Sequence, residues 1–169
     1  TIYGTQFKSC PITNNTVVCD MSSDIFSKRI DVSSYGLIYA GAQKNMGPAG
    51  TTLVIVNKDI LGKTNRDIPT MLDYQTHISK DSMFNTPPVF SIYVSMLTLE
   101  WLQNNGGVEE IEKINNTKAK ILYEEIDRNP LFIGFAEKED RSTMNVTFNL
   151  VNQDLQEKFD LLCNNNGIN

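Results

Sequence analysis

Several features are scarce in this 169-residue chain, and their scarcity narrows its possible functions. His77 is the single histidine, so a zinc site has almost no imidazole ligands to build on. The net charge is −5 and no basic cluster is present, which argues against nucleic acid as a partner. No apolar run approaches the length of a membrane span, which argues against insertion in a membrane.

Cysteines are also few, and their spacing does not suggest disulfide bonds. The three cysteines, Cys10, Cys19 and Cys163, form no C-x-x-C pair and are odd in number. This set predicts free thiols in a cytoplasmic protein.

Residues 35–56 are the most informative segment, because two apolar runs flank a loop of small residues that contains Lys44. The runs at 37–40 and 52–56 are typical of strands buried on both faces. Glycines permit close approach of the backbone to a ligand, and Gln43 and Asn45 place amides on either side of the lysine. We therefore expect the Lys44 amine to point into a pocket, lose part of its hydration and attack a carbonyl. These residues alone do not name a cofactor.

A second candidate group follows another apolar run. Residues 16–19 predict a short buried strand that ends at Asp20, and open α/β sheets place ligand-binding groups at the carboxyl ends of strands. Taken alone, Asp20 is more typical of a helix N-cap or a turn.

The remaining pattern predicts a mixed α/β chain with a boundary at Gly106-Gly107. Before it we expect one helical turn at 59–62, an irregular segment at 68–88 and a helix at 90–103. After it we expect an amphipathic helix at 108–129, strands at 132–136 and 144–150, and a helix at 154–163. The inward face of the amphipathic helix is predicted to hold Ile111, Ile114, Ala119, Ile121, Leu122 and Ile126.

Several segments together resemble the phosphoserine aminotransferases, which are class V, fold-type I pyridoxal-phosphate enzymes. They are A-G-A-Q-K-N at 40–45, G-P-A-G at 47–50 and M-F-N-T-P-P at 83–88. The resemblance implies an α/β fold in two parts. Residues 1–105 would be the C-terminal part of the large α/β/α domain, and residues 106–169 most of the small α/β domain.

The resemblance also implies roles for individual residues. Lys44 corresponds to the lysine that binds pyridoxal 5'-phosphate through a Schiff base and then moves the substrate proton. Asp20 corresponds to the carboxylate that faces the pyridine nitrogen and keeps it protonated. The other implied cofactor contacts are Thr1, Gln43, Asn85 and Thr86, the last two donated by the neighbouring subunit of a homodimer.

Parts of the family pattern are missing from this sequence. The first half is absent, with its phosphate loop, its ring-stacking aromatic residue and an arginine for substrate. The chain also stops just before the lysine-glycine-histidine-arginine segment of the family. We therefore expect the 169-residue chain to be an internal piece of a larger protein, without transaminase activity on its own.

The resemblance predicts transamination between L-glutamate and 3-phosphohydroxypyruvate, giving O-phospho-L-serine and 2-oxoglutarate by a ping-pong reaction. Another class V enzyme, such as an alanine–glyoxylate transaminase or a cysteine desulfurase, is an alternative. A desulfurase is disfavoured because no cysteine lies in a glycine-rich loop. Two further hypotheses are a non-catalytic dimerisation module and a cofactor-free Schiff-base lysine of the aldolase kind.

Overall fold

The structure is a computed structural model, and it describes residues 2–168. The described chain divides into two compact units, Ser9–Glu112 and residues 2–8 with 113–168. The division falls a few residues after the Gly106-Gly107 boundary, and the assignment of these units to domains of a larger enzyme stays a prediction. No helix among the described residues is long and apolar enough to cross a membrane.

The first unit is built on a three-stranded sheet with the order β1-β2-β3. Its strands are β1 (Val18–Asp20), β2 (Leu37–Gly41) and β3 (Thr52–Val56). β1 and β2 run parallel, whereas β2 and β3 are antiparallel. The three strands predicted around Asp20 and Lys44 are confirmed, although the first begins at Val18 rather than at residue 16.

The sheet is fully buried on one face and only partly on the other, so the prediction of strands covered on both faces is wrong at Tyr39 and Val54. Ile38 and Ala40 point into a core with Met21, Ile25 and Met46. The alternate residues Tyr39 and Val54 are 38% and 37% exposed. Side chains alternate along a strand, so Leu37 shares the face of Tyr39, and at 6% exposure it is buried. One face therefore holds the core, and the other is covered at Leu37 but open at Tyr39 and Val54.

Helices α1 and α2 follow the sheet in the first unit. α1 (Tyr74–Ile78) lies inside the segment predicted to be irregular, and that prediction is corrected. The Asp73 side chain accepts a hydrogen bond from the Gln75 backbone N–H, so an N-cap starts this helix despite its short length. α2 (Val89–Asn104) confirms the helix predicted at 90–103, and a 3-10 turn at Lys58–Ile60 confirms the turn predicted at 59–62.

α3 (Gly107–Arg128) confirms the long amphipathic helix, but its inward face is narrower than predicted. Within α3, Asn115, Ala119 and Ile126 are buried, whereas Ile121 is 64% exposed. Ile114 and Leu122 are also exposed. The buried residues follow the spacing of one helical stripe. Ile114 and Ile121 fall beside that stripe, whereas Leu122 lies on it and is exposed because nothing covers it in the described chain.

The second unit pairs β4 (Phe132–Gly134) with β5 (Phe148–Leu150) in an antiparallel ladder, followed by α4 (Gln156–Asn165). Phe132 meets Phe148 and Phe159 edge to face, with ring centroids 5.0 and 5.8 Å apart. The strand predicted at 144–150 is too long, because β5 begins only at Phe148. The Ser142 hydroxyl accepts hydrogen bonds from the N–H groups of Met144 and Asn145, which commits them to a turn.

Arg141 forms the main polar cluster of the second unit. Its guanidinium donates to both Asp127 oxygens at 2.7 and 2.9 Å and lies 4.5 Å from the centre of the Tyr123 ring. Only 11% of the Arg141 side chain is exposed. The pKa of Asp127 is held far below its usual range by hydrogen bonds from Arg141 and Lys138.

We expect Asp127→Asn to lower the Tm at neutral pH and to lose this effect in acid. A lowered pKa stabilises the fold fully above the unfolded-state value, near 4, and the contribution shrinks progressively as pH falls from that value toward the lowered folded-state pKa. The measurement is thermal unfolding followed by circular dichroism from neutral pH to about pH 3. Asp160→Asn, in α4, is the matched control. A Tm gap that stays constant with pH would contradict the assignment.

Candidate active site

Asp20 ends β1 with its carboxylate held by the turn that follows. The Ser22 backbone N–H donates to Asp20 Oδ1 at 2.8 Å, and the nearby Ser22 hydroxyl helps to lower the pKa of that carboxylate. The same hydroxyl accepts from the Gly41 N–H at 3.0 Å, which ties the turn to the end of β2. The pKa of Asp20 is lowered, first by the Ser22 hydroxyl and further by the Ser22 N–H, Tyr39 and the charge of Lys44.

Lys44 lies in a single helical turn immediately after β2. The Met46 N–H donates to the Ala42 carbonyl at 3.0 Å, and both side chains are buried. Residues between the ends of such a turn point away from the buried side, so Gln43 and Lys44 are exposed. The expectation of a partly dehydrated Lys44 is therefore wrong for the described chain. Its Nζ donates to the Ser23 hydroxyl at 2.5 Å.

The structure brings Asp20 and Lys44 to the same edge of the sheet. β1 and β2 are parallel neighbours, so their carboxyl ends meet at one edge, and each residue sits at or just beyond such an end. The turn residues Ser22 and Ser23 bridge them, because one contacts Asp20 and the other contacts Lys44. A carboxylate kept ionised and a primary amine thus face a common space.

Gln43 adds a carboxamide at this edge. A Cβ placed on Gly41 would lie 2.5 Å from Gln43 Oε1, so the carboxamide folds back over the end of β2. Glycine at 41 makes that position possible. The amide is therefore beside the carboxyl end of β2, where it can reach an anionic ligand group.

The remaining predicted contacts lie elsewhere. Asn85 and Thr86 are exposed in the segment before α2, and Asn85 Nδ2 contacts Met71 Sδ at 3.4 Å rather than Asp20 or Lys44. Thr1 lies outside the described residues. Among residues 2–168 there is no cluster of His, Cys, Asp or Glu side chains suited to a metal ion.

The small residues after Lys44 serve helix packing. Gly47 (φ +152°) lies against Ser95 of α2, where an added Cβ would be 3.2 Å from the Ser95 Cα. Gly50 (φ +112°) lies against Ser91, whose hydroxyl donates to the Ala49 carbonyl at 2.9 Å. The loop glycines therefore bring α2 close to the lysine turn, a role that the sequence did not indicate.

We expect Gly47→Ala to destabilise the protein by about 2 kcal/mol, because the added methyl group meets helix backbone and the φ value is unfavourable. The measurement is urea unfolding. Gly62→Ala is the matched control, since Gly62 also has a positive φ but nothing lies within 4 Å of the added Cβ. The control should cost only about 1 kcal/mol. Equal losses in the two variants would contradict the packing role.

Two contacts of the site were missed from the sequence alone. Neither Ser23 nor Tyr39 was predicted to belong to the site, because nothing in their spacing assigns them a role. The parallel register places Tyr39 opposite Asp20, and strand register was the signal that could have identified it.

The family description Aminotransferase class-V matches residues 6–169. The chain belongs to the class-V aminotransferase family. This class-V chain is 67% identical over 160 residues to a phosphoserine aminotransferase of Flavobacterium psychrophilum, covering 95% of this chain and 45% of that protein. The chain thus spans about half the length of the curated relatives it matches.

Solved structures agree with this family assignment. One, titled for radiation damage of the Schiff base in phosphoserine aminotransferase, superposes with a TM-score of 0.92 at 50% identity, over 99% of this chain and 47% of that one. A pyridoxal-phosphate-bound phosphoserine aminotransferase of Trichomonas vaginalis gives 0.91 at 35% identity, over 98% and 48%. The predicted fold class, a fold-type I α/β transferase, is confirmed.

Proposed function

We propose that the complete protein containing this class-V chain transfers the amino group of L-glutamate to 3-phosphohydroxypyruvate, with pyridoxal 5'-phosphate as cofactor. The products are O-phospho-L-serine and 2-oxoglutarate. One observation carries the proposal. An ionised Asp20 and the Lys44 amine meet at the carboxyl ends of adjacent parallel strands.

The donor groups fit this cofactor. Its aldehyde requires a primary amine, which Lys44 offers, and its pyridine nitrogen requires an anion, which Asp20 offers with a lowered pKa. Gln43 would hydrogen-bond the cofactor phosphate from the end of β2. When bound, pyridoxal phosphate supplies a ring that accepts electron density from the substrate carbon.

The residues of the chain account for the proton transfer. The Lys44 amine acts as the base that takes a proton from the substrate carbon and returns it at another carbon. Ser23 Oγ accepts a hydrogen bond from Lys44 Nζ and so fixes the position of the free amine. Asp20 would stay ionised throughout, because the Ser22 N–H donates to its carboxylate and the pKa of Asp20 is lowered.

The proposed substrates are those of the named relatives. The proposed homodimer is supported by the exposure of Asn85 and Thr86. Relatives named phosphoserine aminotransferase are 57–67% identical to this chain in four bacteria. A homodimer with a shared active site would give Asn85 and Thr86 a role, since both are exposed and lie away from the lysine of their own chain. Thr1 would contact the cofactor ring. The three free thiols favour a cytoplasmic location.

A dimerisation module without catalysis is the second candidate, favoured by exposed apolar side chains on α2. Phe90, Tyr93 and Trp101 are 74%, 53% and 57% exposed. An interaction module would be indifferent to cofactor. Gel filtration with and without pyridoxal phosphate separates the two candidates.

The decisive experiment traps the cofactor covalently. The full-length protein is incubated with pyridoxal phosphate, reduced with borohydride and mapped by peptide mass spectrometry, and we expect the label on Lys44. A coupled assay then measures 2-oxoglutarate formed from glutamate and 3-phosphohydroxypyruvate. A label on another side chain, or labelling without turnover, would overturn the proposal.

A further inference from the structure

Two helices of the chain end in the same N-N-G sequence. Residues 104–106 close α2 and residues 165–167 close α4, with Asn105 and Asn166 as the C-cap residues. Both asparagines are exposed. Each side-chain amide donates to the carbonyl four residues before it, at 2.7 Å for Asn105 and 2.8 Å for Asn166. The two asparagines are therefore matched in sequence, in position and in side-chain contact.

The glycines that follow them differ in how their backbone is held. The Gly167 N–H donates to the Asn164 carbonyl at 3.0 Å. The Ile168 N–H donates to the Cys163 carbonyl at 2.9 Å, and the two bonds together form the Schellman motif that commonly ends a helix. In the described part of the chain the Gly106 N–H makes no hydrogen bond, so α2 ends without this motif.

This difference affects how easily each asparagine can react with the next backbone nitrogen. The backbone angle ψ is 28° at Asn105 and 13° at Asn166, which places the glycine nitrogen and the side-chain amide carbon on opposite sides of the Cα–C bond. A ring between the two atoms can close only after the peptide group rotates. Glycine accepts the compensating change in φ, so the chain direction is kept. At Asn166 the rotation breaks the Gly167 hydrogen bond, whereas at Asn105 it breaks none.

We propose that Asn105 is a site of spontaneous deamidation, at which the Gly106 nitrogen attacks the side-chain amide carbon of Asn105. Hydroxide from solvent takes the proton of the Gly106 N–H, and the new C–N bond closes a cyclic imide. The side-chain nitrogen takes a proton from water and leaves as ammonia. A water molecule then opens the imide at either carbonyl and leaves an aspartyl or an isoaspartyl residue. The reaction needs no enzyme and is independent of the proposed amino-group transfer.

The product would change the junction between α2 and α3. A new carboxylate lies beside the last carbonyls of α2, where a negative charge is unfavourable. An isoaspartyl link also inserts an additional carbon atom into the main chain between the two helices. Since α2 packs through Ser91 and Ser95 against the loop that follows Lys44, the modified junction belongs to an element that supports the candidate site.

The test follows both N-N-G sequences in the same sample. Full-length wild-type protein is aged at mildly alkaline pH, once in native buffer and once in urea, and peptide mass spectrometry measures the deamidated fraction at Asn105 and at Asn166. Asn166 is the matched internal control. Asn105→Gln removes the reactive amide, because glutamine would have to close a larger ring, and Asn166→Gln is its counterpart.

We expect Asn105 to deamidate about tenfold faster than Asn166 in native buffer, because only Asn166 must first lose a backbone hydrogen bond. In urea the two rates should become similar, since the same residue follows each asparagine. Asn105→Gln should remove the modified residue at the end of α2 and leave the rate at Asn166 unchanged. Equal rates in native buffer overturn the proposal. A preference for Asn105 that persists in urea also overturns it, because sequence rather than structure would then be the cause.

Discussion

Replacement of Lys44 by alanine in the full-length protein is expected to lower kcat by about 10⁴-fold or more. Under the proposed function, the substitution removes both the amine that bonds the cofactor and the base that moves the substrate proton. It should leave the fold unchanged, because Lys44 is exposed and the buried ends of its turn are Ala42 and Met46. The measurement is steady-state turnover together with the absorbance band of the bound cofactor, which should disappear.

Lys58→Ala is the matched control for this prediction. Lys58 is an exposed lysine of the same unit, in the 3-10 turn that follows β3. Its loss removes an equal charge without touching the sheet edge that carries Asp20. If Lys44→Ala kept its absorbance band and turned over within about tenfold of the wild type, Lys44 would not be the reactive amine.

Replacement of Asp20 by asparagine is expected to lower kcat by about 10²- to 10³-fold, the second largest effect. Asparagine preserves the shape of the side chain but carries no charge, so under the proposed function the ring nitrogen loses the anion that keeps it protonated. Binding of pyridoxal phosphate should weaken as well. The measurements are kcat with both substrates and the dissociation constant of the cofactor.

Asp31→Asn is a stringent control. The Asp31 carboxylate also has a lowered pKa, in this case through the hydroxyl and N–H of Ser33, but it caps a 3-10 turn. Both variants therefore lose a serine-bound carboxylate, and only one loses the charge beside Lys44. Equal losses of activity in the two variants would show that the effect comes from turn stability.

The sequence predicted most of the sheet and the long helices because these depend on local periodicity. The strands around Lys44 and the stripe of α3 that holds Ala119 and Ile126 follow directly from alternation and helical spacing. The predictions at Ile114, Ile121 and Val54 were wrong because exposure depends on what covers each face. Periodicity assigns a face, and tertiary contacts decide whether that face is buried.

In the candidate site, too, local features were predicted from the sequence, whereas features that depend on tertiary contacts were not. Asp20 and Lys44 were identified from strand ends and family resemblance, and the structure brings them together. The dehydrated state expected for Lys44 was wrong because the turn directs its side chain away from the core. The role of Gly47 was missed because it depends on α2, which lies far along the chain.

The parallel register of β1 and β2 has a consequence for refolding. Side chains alternate with every residue, so a slip of β1 by one position would turn Asp20 toward the core and expose Cys19 in its place. Such a misaligned sheet would retain its helices and much of its compactness while burying an unpaired acid. Inactive protein with normal far-ultraviolet circular dichroism is therefore the expected signature of strand misalignment during renaturation.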